Sequence, residues 1–452
     1  MTTSMRPLPG PAREYHFPSF ERHTLANGLS IIIAPVYKLP VVTVLAVIDA
    51  GAINDPRRLE GLAQLTAEAL REGTAEHTGL EILEGFEKLG SSVEAGADWD
   101  STIVGMTLLK EHLSSGYALL AEVLTSPSFP ENDVGRLKAE RLAERLQILA
   151  EPRGLADEAF SKFLYPENSR YSEPMSGNST SISAITCQDV AEFFASRYTP
   201  DATTLIIVGD VSVEEGVELV MAALGNWKGK KTPRPLAEAQ ATLHVRGMDV
   251  VRKTDAAQAE LRLGHKGVSR SHPDYFSVVV MNAILGGLFS SRINLNLREK
   301  HGYTYGASSY YDWRCEPGPF VIATAVQSEV VADAVRETLS EIDGMRSEEI
   351  PEDELSLATS YLEGVFPIRY ETTSAIAAAL ANLVVFGLPD TFYDQYRQNI
   401  RNVSTADVLR AAQAYVIPEE LRIVVVGDPT IVVGPLEKLK FSNVSVQSPA
   451  EA

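Results

Sequence analysis

The feature that most constrains this chain is a repeat. The segments "RYTPDATTLIIVGDVS" (197–212) and "AYVIPEELRIVVVGDPT" (414–430) share one pattern: a helix end, a proline, a polar turn, a β-rich run and Val-Gly-Asp. Pro200 and Pro418 are 218 positions apart, and so are Gly209 and Gly427. Nearer the start, "VVTVLAVIDAGAINDP" (41–56) leads from a strand to Pro56, and "AELRLGHKGVSRSHP" (259–273) does the same to Pro273, 217 positions later. Matching offsets at both ends of a unit point to a duplication, and proline at a helix start, where its missing N–H costs nothing, accounts for Pro56 and Pro273.

The chain divides into an N-terminal extension (1–19), a first half (20–228), a linker (229–245), a second half (246–437) and a tail (438–452). Each half begins and ends in strands with amphipathic helices between. That predicts an α+β fold of two homologous α/β-sandwich halves, each a mainly antiparallel sheet packed with helices. The connector "WKGKKTPRPLAEAQA" (227–241) has linker composition, and the final "QSPAEA" is expected to be disordered.

At 452 residues the chain exceeds one core, and roughly two to four domains are expected. Forty Lys and Arg against 60 Asp and Glu give a net charge of −20, which repels phosphate backbones and argues against nucleic-acid binding. Cys187 and Cys315 are too far apart in sequence to imply a framework and read as two isolated buried thiols. The opening "MTTSMRPLPGPAREYHFPSF" has no apolar h-region, and no stretch supplies ~18 uninterrupted apolar residues. The expectation is no membrane segment and a cytoplasmic location, or a periplasmic one if the chain is processed.

One helix raises a chemical question. In "GLAQLTAEALREGT" (61–74), Leu62, Ala63, Thr66, Ala69 and Leu70 form a core face, while Gln64, Ala67 and Glu68 share another stripe at i, i+3 and i+4. This segment resembles the metal helix H-x-x-E-H of the inverzincin peptidases, the family of pitrilysin, insulin-degrading enzyme and the mitochondrial processing peptidase. "LGGLFSSRINLNLREKHGYTYGASS" (285–309) is similar to the family's second-half segment, and "LGSSVEAGADWDSTIVGMTLL" (89–109) to the strand beside its active site. The resemblance runs over about residues 20–430 and implies two halves joined in a clam-like arrangement.

Carried onto this sequence, the first metal His falls on Gln64, the catalytic Glu on Ala67, the second His on Glu68 and the third ligand on Glu144. Catalytic zinc needs three imidazole or carboxylate ligands and an open position. A Gln amide is a poor zinc donor, and without a carboxylate at 67 nothing here takes a proton from metal-bound water. Glu68 and Glu144 alone suit only a weak Mg²⁺ or Ca²⁺ site. The expectation is that this chain holds no metal.

The resemblance implies more in the second half. Arg298 and Tyr305, seven apart in "LREKHGYTYG", match the family's Arg and Tyr that hold a substrate carbonyl and stabilise the oxyanion. A guanidinium has several fixed donors, and a phenol aimed at developing charge favours the transition state. Their bland reading is a solvated arginine in a helix's last turn and a tyrosine packed in a strand; Tyr303 competes for the tyrosine role. Residues 92–98 read as an edge strand, able to pair a peptide or serving as an ordinary edge. Gly286-Gly287 lacks phosphate-loop spacing and reads as a helix-end turn needing positive φ or close packing.

Losing one half of an active site and keeping the other suggests division of labour. The resemblance implies the non-zinc subunit of a heterodimeric zinc metallopeptidase, inactive alone. Its partner would be a homologous subunit with intact H-x-x-E-H and its own zinc, and its substrate a peptide. The alternative is a catalytically inactive scaffold or peptide-binding homologue.

Overall fold

Segments such as "SIIIAP" (30–35) and "TTLIIVG" (203–209) are apolar at nearly every position, a pattern that requires a sheet covered on both faces. The computed structural model, which describes residues 14–233 and 246–448, supplies that cover. The first sheet uses β1 (Glu21–Thr24), β2 (Ser30–Pro35), β3 (Val41–Ile48), β4 (Val93–Ala97), β5 (Thr102–Leu109) and β6 (Thr203–Gly209), in the order β1-β2-β6-β3-β5-β4. The second uses β7 (Gly247–Arg252), β8 (Ala259–Lys266), β9 (Ala307–Tyr311), β10 (Pro319–Val326), β11 (Arg422–Gly427) and β12 (Val444–Gln447), in the order β12-β7-β11-β8-β10-β9. Only β2–β6 in the first sheet, and β7–β11 and β12–β7 in the second, pair in parallel. The fold is α+β with two sheet-and-helix domains.

The period of two sorts each strand between two cores. Ile31 and Ile33 of β2, Val42 and Val44 of β3, and Leu205 and Ile207 of β6 face the helices of the first half. Their neighbours Ile32, Ala34, Val47, Ile206 and Val208 belong to the core of the second half. There the helix Thr373–Val385 lies on β3 and β6, with Thr43 Oγ1 2.9 Å from Thr373 Oγ1. The reverse holds in the second sheet. Val251, Val321, Val424 and Val426 pack with Leu155, Ala156, Phe160 and Leu164 of the first-half helix Pro152–Leu164. Arg262 of β8 ties that helix through Asp157 at 2.6 Å. These two helices occupy equivalent places in the repeat, so each half covers the other's sheet. Every Ile, Leu or Val so buried contributes roughly 1.5–3 kcal/mol relative to exposure.

Local signals repeat with the same offset. Thr186 and Asp189 form a capping box on helix Cys187–Arg197, and Ser404 and Asp407 form one on helix Thr405–Tyr415. Pro200 and Pro418 each open a 3-10 turn before β6 and β11. The proline reading fails once: Pro273 lies just before helix Tyr275–Asn282, but Pro56 stands six residues before helix Leu62–Ala69. A buried aspartate, Asp55, does the capping there instead.

Three other expectations need correction. The segment assigned to the tail contributes β12, because Val444 and Val446 extend the free edge of β7 and Gln447 reaches Asp249 at 2.6 Å. The N-terminal extension contributes Phe17, which stacks on Tyr393 at 4.8 Å in the second half's core. Cys187 and Cys315 form no disulfide with each other and are half-buried rather than buried. The linker is described only to residue 233, where Lys231 N–H donates to Asp201 at 2.8 Å; 234–245 lie outside the described residues, as does the tail beyond 448. One stretch, Tyr275–Lys300, is long and apolar enough to cross a membrane, but it is broken near Leu288 and its Val280, Leu285 and Leu297 lie in the second half's core.

Candidate functional site

The helix Leu62–Ala69 is fixed at its start by buried polar contacts. Gly61 is left-handed at φ 96°, and a Cβ there would stand 2.3 Å from Ser176 O, so only glycine fits. The Asp55 carboxylate accepts from Gly61 N–H and Ala63 N–H, both at 2.8 Å, and from Arg170 at 2.9 Å. Burial raises the Asp55 carboxyl above its usual range, with Arg170 and these N–H groups opposing it. Leu62, Leu65 and Ala69 then pack inward, and Gln64 and Glu68 project together one turn apart.

An arginine joins them. Arg141, on helix Glu131–Ala150, donates Nη1 to Gln64 Oε1 at 2.9 Å and Nε to Glu68 Oε2 at 3.0 Å, while Nη2 takes Glu68 Oε1. Gln64 spends its amide N–H on Ala97 O at 3.2 Å. Ala67 is fully buried. Glu144, one turn after Arg141, lines the same 230 Å³ cavity as Gln64, Glu68, Arg141 and Arg145, and Arg145 pairs with Glu158. Burial raises the Glu68 carboxyl, Arg141 opposes this, and Glu144 adds to it.

The arrangement does not fit zinc. Both Glu68 oxygens are committed to a guanidinium in bidentate geometry, and the charges of Arg141 and Arg145 in the cavity wall oppose a divalent ion there. Of the two carboxylates considered for a weaker Mg²⁺ or Ca²⁺ site, Glu68 is thereby already occupied. Among the described residues, no group of three or more His, Cys, Asp and Glu gathers in ligand geometry. Gln64, Glu68 and Glu144 thus share one cavity, and Arg298 and Tyr305 line none of it. Sequence reasoning passed over Arg141. Its signal was an arginine one turn before Glu144 in "KAERLAERL" (138–146), the only kind of residue able to satisfy Gln64 and Glu68 together.

β4 lies at the outer edge of the first sheet, paired with β5 alone. Its Ala97 and Val93 carbonyls accept from Gln64 and Arg71, at 3.2 and 3.4 Å. The edge is therefore partly capped by the helix beside it.

In the second half, Gly286 packs tightly: a Cβ would stand 2.4 Å from Ser309 Oγ on β9, and neither glycine of the pair has positive φ. Of the two roles considered for this pair, it is close packing. The wide π-turn Leu295–Lys300 carries Arg298, whose guanidinium lies 4.6 Å from the Phe289 ring and 3.3 Å from the adjacent Glu299. Tyr305 is 90% exposed. The loop around it is pinned, because Thr304 Oγ1 accepts from Gly306 N–H and Thr324 Oγ1 donates to Gly306 O. Tyr305 precedes β9 rather than packing within it. Tyr303 points the other way, half-buried and stacked on His301 at 5.0 Å.

Comparison with known proteins matches two family models to this chain: Insulinase (Peptidase family M16) over residues 36–172, and Peptidase M16 inactive domain over residues 184–362. An uncharacterized zinc protease of Bacillus subtilis is 24% identical over 360 residues, covering 78% of this chain and 85% of its own. One from Streptomyces coelicolor is 24% identical over 406 residues, covering 88% of each. The crystal structure of a peptidase M16 inactive domain from Pseudomonas fluorescens superposes with a TM-score of 0.85 at 24% identity, over 90% of this chain and 98% of that one. A protease from Helicobacter pylori gives 0.81 at 21%, over 91% and 100%. The structural likenesses are likenesses of fold.

Proposed function

The chain belongs to the M16 peptidase family, and on that premise we propose that it is the non-zinc subunit of a heterodimeric zinc metallopeptidase. The partner is a homologous chain with intact H-x-x-E-H, which supplies the zinc and the general base. This chain supplies Arg298, which donates to a carbonyl of the bound peptide, and Tyr305, which donates to the oxyanion as it forms. No cofactor sits on this chain.

One observation carries the reading: the metal-helix stripe is internally satisfied by Arg141, whereas Tyr305 stands on a pinned loop with 90% of its surface exposed. An exposed tyrosine of this kind is a residue type favoured as an interface anchor. Arg298 and Tyr305 are also absent from the wall of the Gln64–Glu68 cavity of their own chain, which agrees with a site whose metal helix comes from a second chain.

The test uses the purified chain alone and mixed with the H-x-x-E-H homologue of the same organism. Cleavage of a quenched fluorescent peptide and zinc content are read together. The reading requires that neither chain cuts alone and that the mixture cuts with about one zinc per heterodimer. A complex that forms and cuts nothing makes the chain a scaffold instead.

A further inference from the structure

A buried guanidinium needs a counter-charge or a full set of acceptors, and Arg270 has neither. It is 7% exposed, its Nη1 is buried without a hydrogen-bond partner, and among the described residues no carboxylate pairs with its side chain. Its company is aromatic. The Tyr275 ring centroid lies 3.7 Å from the guanidinium carbon, that of Phe392 4.7 Å and that of Phe386 5.8 Å. Stacking of this kind orients a cation but does not replace the water it has lost.

The guanidinium borders a cavity of 480 Å³, a size that accepts a small ligand. Arg369, Tyr310, Trp313, Tyr370 and Asn382 form other parts of the wall. Arg369 and Tyr310 are exposed and mark the side open to solvent. The acid in the wall, Asp312, is already engaged by Arg314, at 3.0 Å to Nε. Burial holds the phenols of Tyr275, Tyr370, Tyr393 and Tyr396 above their ordinary range, so they are neutral and able to donate. A chain of net charge −20 thus keeps a cavity with two arginines, one of them buried and unpaired, walled by aromatic rings.

We propose that this cavity binds a carboxylate carried on an aromatic body, with the oxygens received by Arg270 and Arg369 and the ring stacked among Tyr275, Phe392 and Trp313. Planar, forked donors match a carboxylate, and the rings supply apolar area for the rest of the ligand. Two sources share that chemistry: the C-terminal carboxylate of a peptide ending in an aromatic residue, and a free aryl acid. The proposal is independent of the division of labour above, because none of these residues belongs to either half-site.

The test is calorimetric titration of the full chain with N-acetylphenylalanine, N-acetylphenylalaninamide and 3-phenylpropanoate. The expected result is that at least one acid binds and that the amide binds at least about tenfold more weakly, the loss of a charge-assisted hydrogen bond. Tighter binding of N-acetylphenylalanine assigns a peptide terminus; tighter binding of 3-phenylpropanoate assigns a free acid. Arg270→Gln should cost the acids about tenfold or more and leave the amide unchanged. If thermal melting shows that this variant fails to fold, Arg369→Gln on the exposed rim carries the test, with a loss for the acids only. Equal binding of acid and amide overturns the proposal, as does the absence of binding by both acids at millimolar concentration.

Discussion

In the first half, the stripe Gln64–Glu68 faces an arginine of its own half, and every polar atom named there has a partner inside the chain. In the second half, Phe289, Arg298 and Tyr305 face outward, with a ring contact and a neighbouring glutamate as their main internal company. The first region is a buried ionic network, which fixes geometry and resists change. The second keeps the rings of Phe289 and Tyr305 in water, Tyr305 on a pinned loop, a placement that gains nothing for the isolated fold. The contrast teaches what each region uses its charge for: in the first, a protein-borne cation, Arg141, holds the helices Leu62–Ala69 and Glu131–Ala150 together.

The largest expected effect comes from exchanging that cation for a metal site. Gln64→His, Ala67→Glu and Glu68→His restore the ligand types beside Glu144, but with Arg141 in place the chain should still bind no zinc after dialysis. Adding Arg141→Met should raise zinc to about one per chain, since three suitable protein ligands then face an open position. Zinc bound equally well with Arg141 retained would show that the arginine is not the obstacle.

The second half is probed by Arg298→Ala and Tyr305→Phe in the complex with the zinc subunit. Each removed donor should lower kcat by about 10²–10³, with KM changed far less. Both variants should melt like the parent, because neither side chain is part of a core. Unchanged kcat/KM in both would remove the residues from the site.

A smaller effect tests the first half alone. Arg141→Ala leaves Glu68 and the Gln64 carbonyl without their donor. Breaking a buried pair costs about 3–5 kcal/mol; Glu68 is one-third exposed, so about 2–3 kcal/mol is expected in a urea titration. Loss of less than about 0.5 kcal/mol would mean the clamp is decorative.

Much of this comparison was legible in the sequence, for identifiable reasons. The repeat of Pro200 with Pro418 and Gly209 with Gly427 marks backbone geometry that both halves must reproduce, and the sheets follow it in five strands, differing at the outer edge, where β1 stands in one and β12 in the other. The shared stripe of Gln64 and Glu68 was legible because a helix fixes i, i+4 neighbours, whereas Glu144, on another helix, came only from the resemblance. Arg141 was not found, since its role depends on two helices meeting. The exchange of helices Pro152–Leu164 and Thr373–Val385 was equally hidden: strands covered on both faces announce a second layer but not which half supplies it. β12 was missed because four residues carry too little pattern to outweigh a polar tail.

The finest contrast lies inside the sheets. His265 of β8 is buried and lies opposite Phe320, while the matching register position in the first sheet, opposite Thr102, is Ile48. Its Nε2 accepts from Ile417 N–H at 3.0 Å, and its Nδ1, 2.9 Å from Lys266 O, must carry the proton. A proton on Nε2 would face an N–H donor, and burial lowers the imidazole below its usual value of about 6.5. In the unfolded chain the ring protonates below that pH while the folded ring resists. This contribution is therefore intact at neutral pH and falls as pH drops below about 6.5, by at most about 1.4 kcal/mol per pH unit. Denaturation of the parent and of His265→Gln between pH 7 and 5 isolates it: the variant should be less stable at pH 7 but show a shallower loss on acidification. Equal slopes would mean that the ring protonates without disturbing Ile417, and that the imidazole of the second sheet is as inert to acid as the isoleucine of the first.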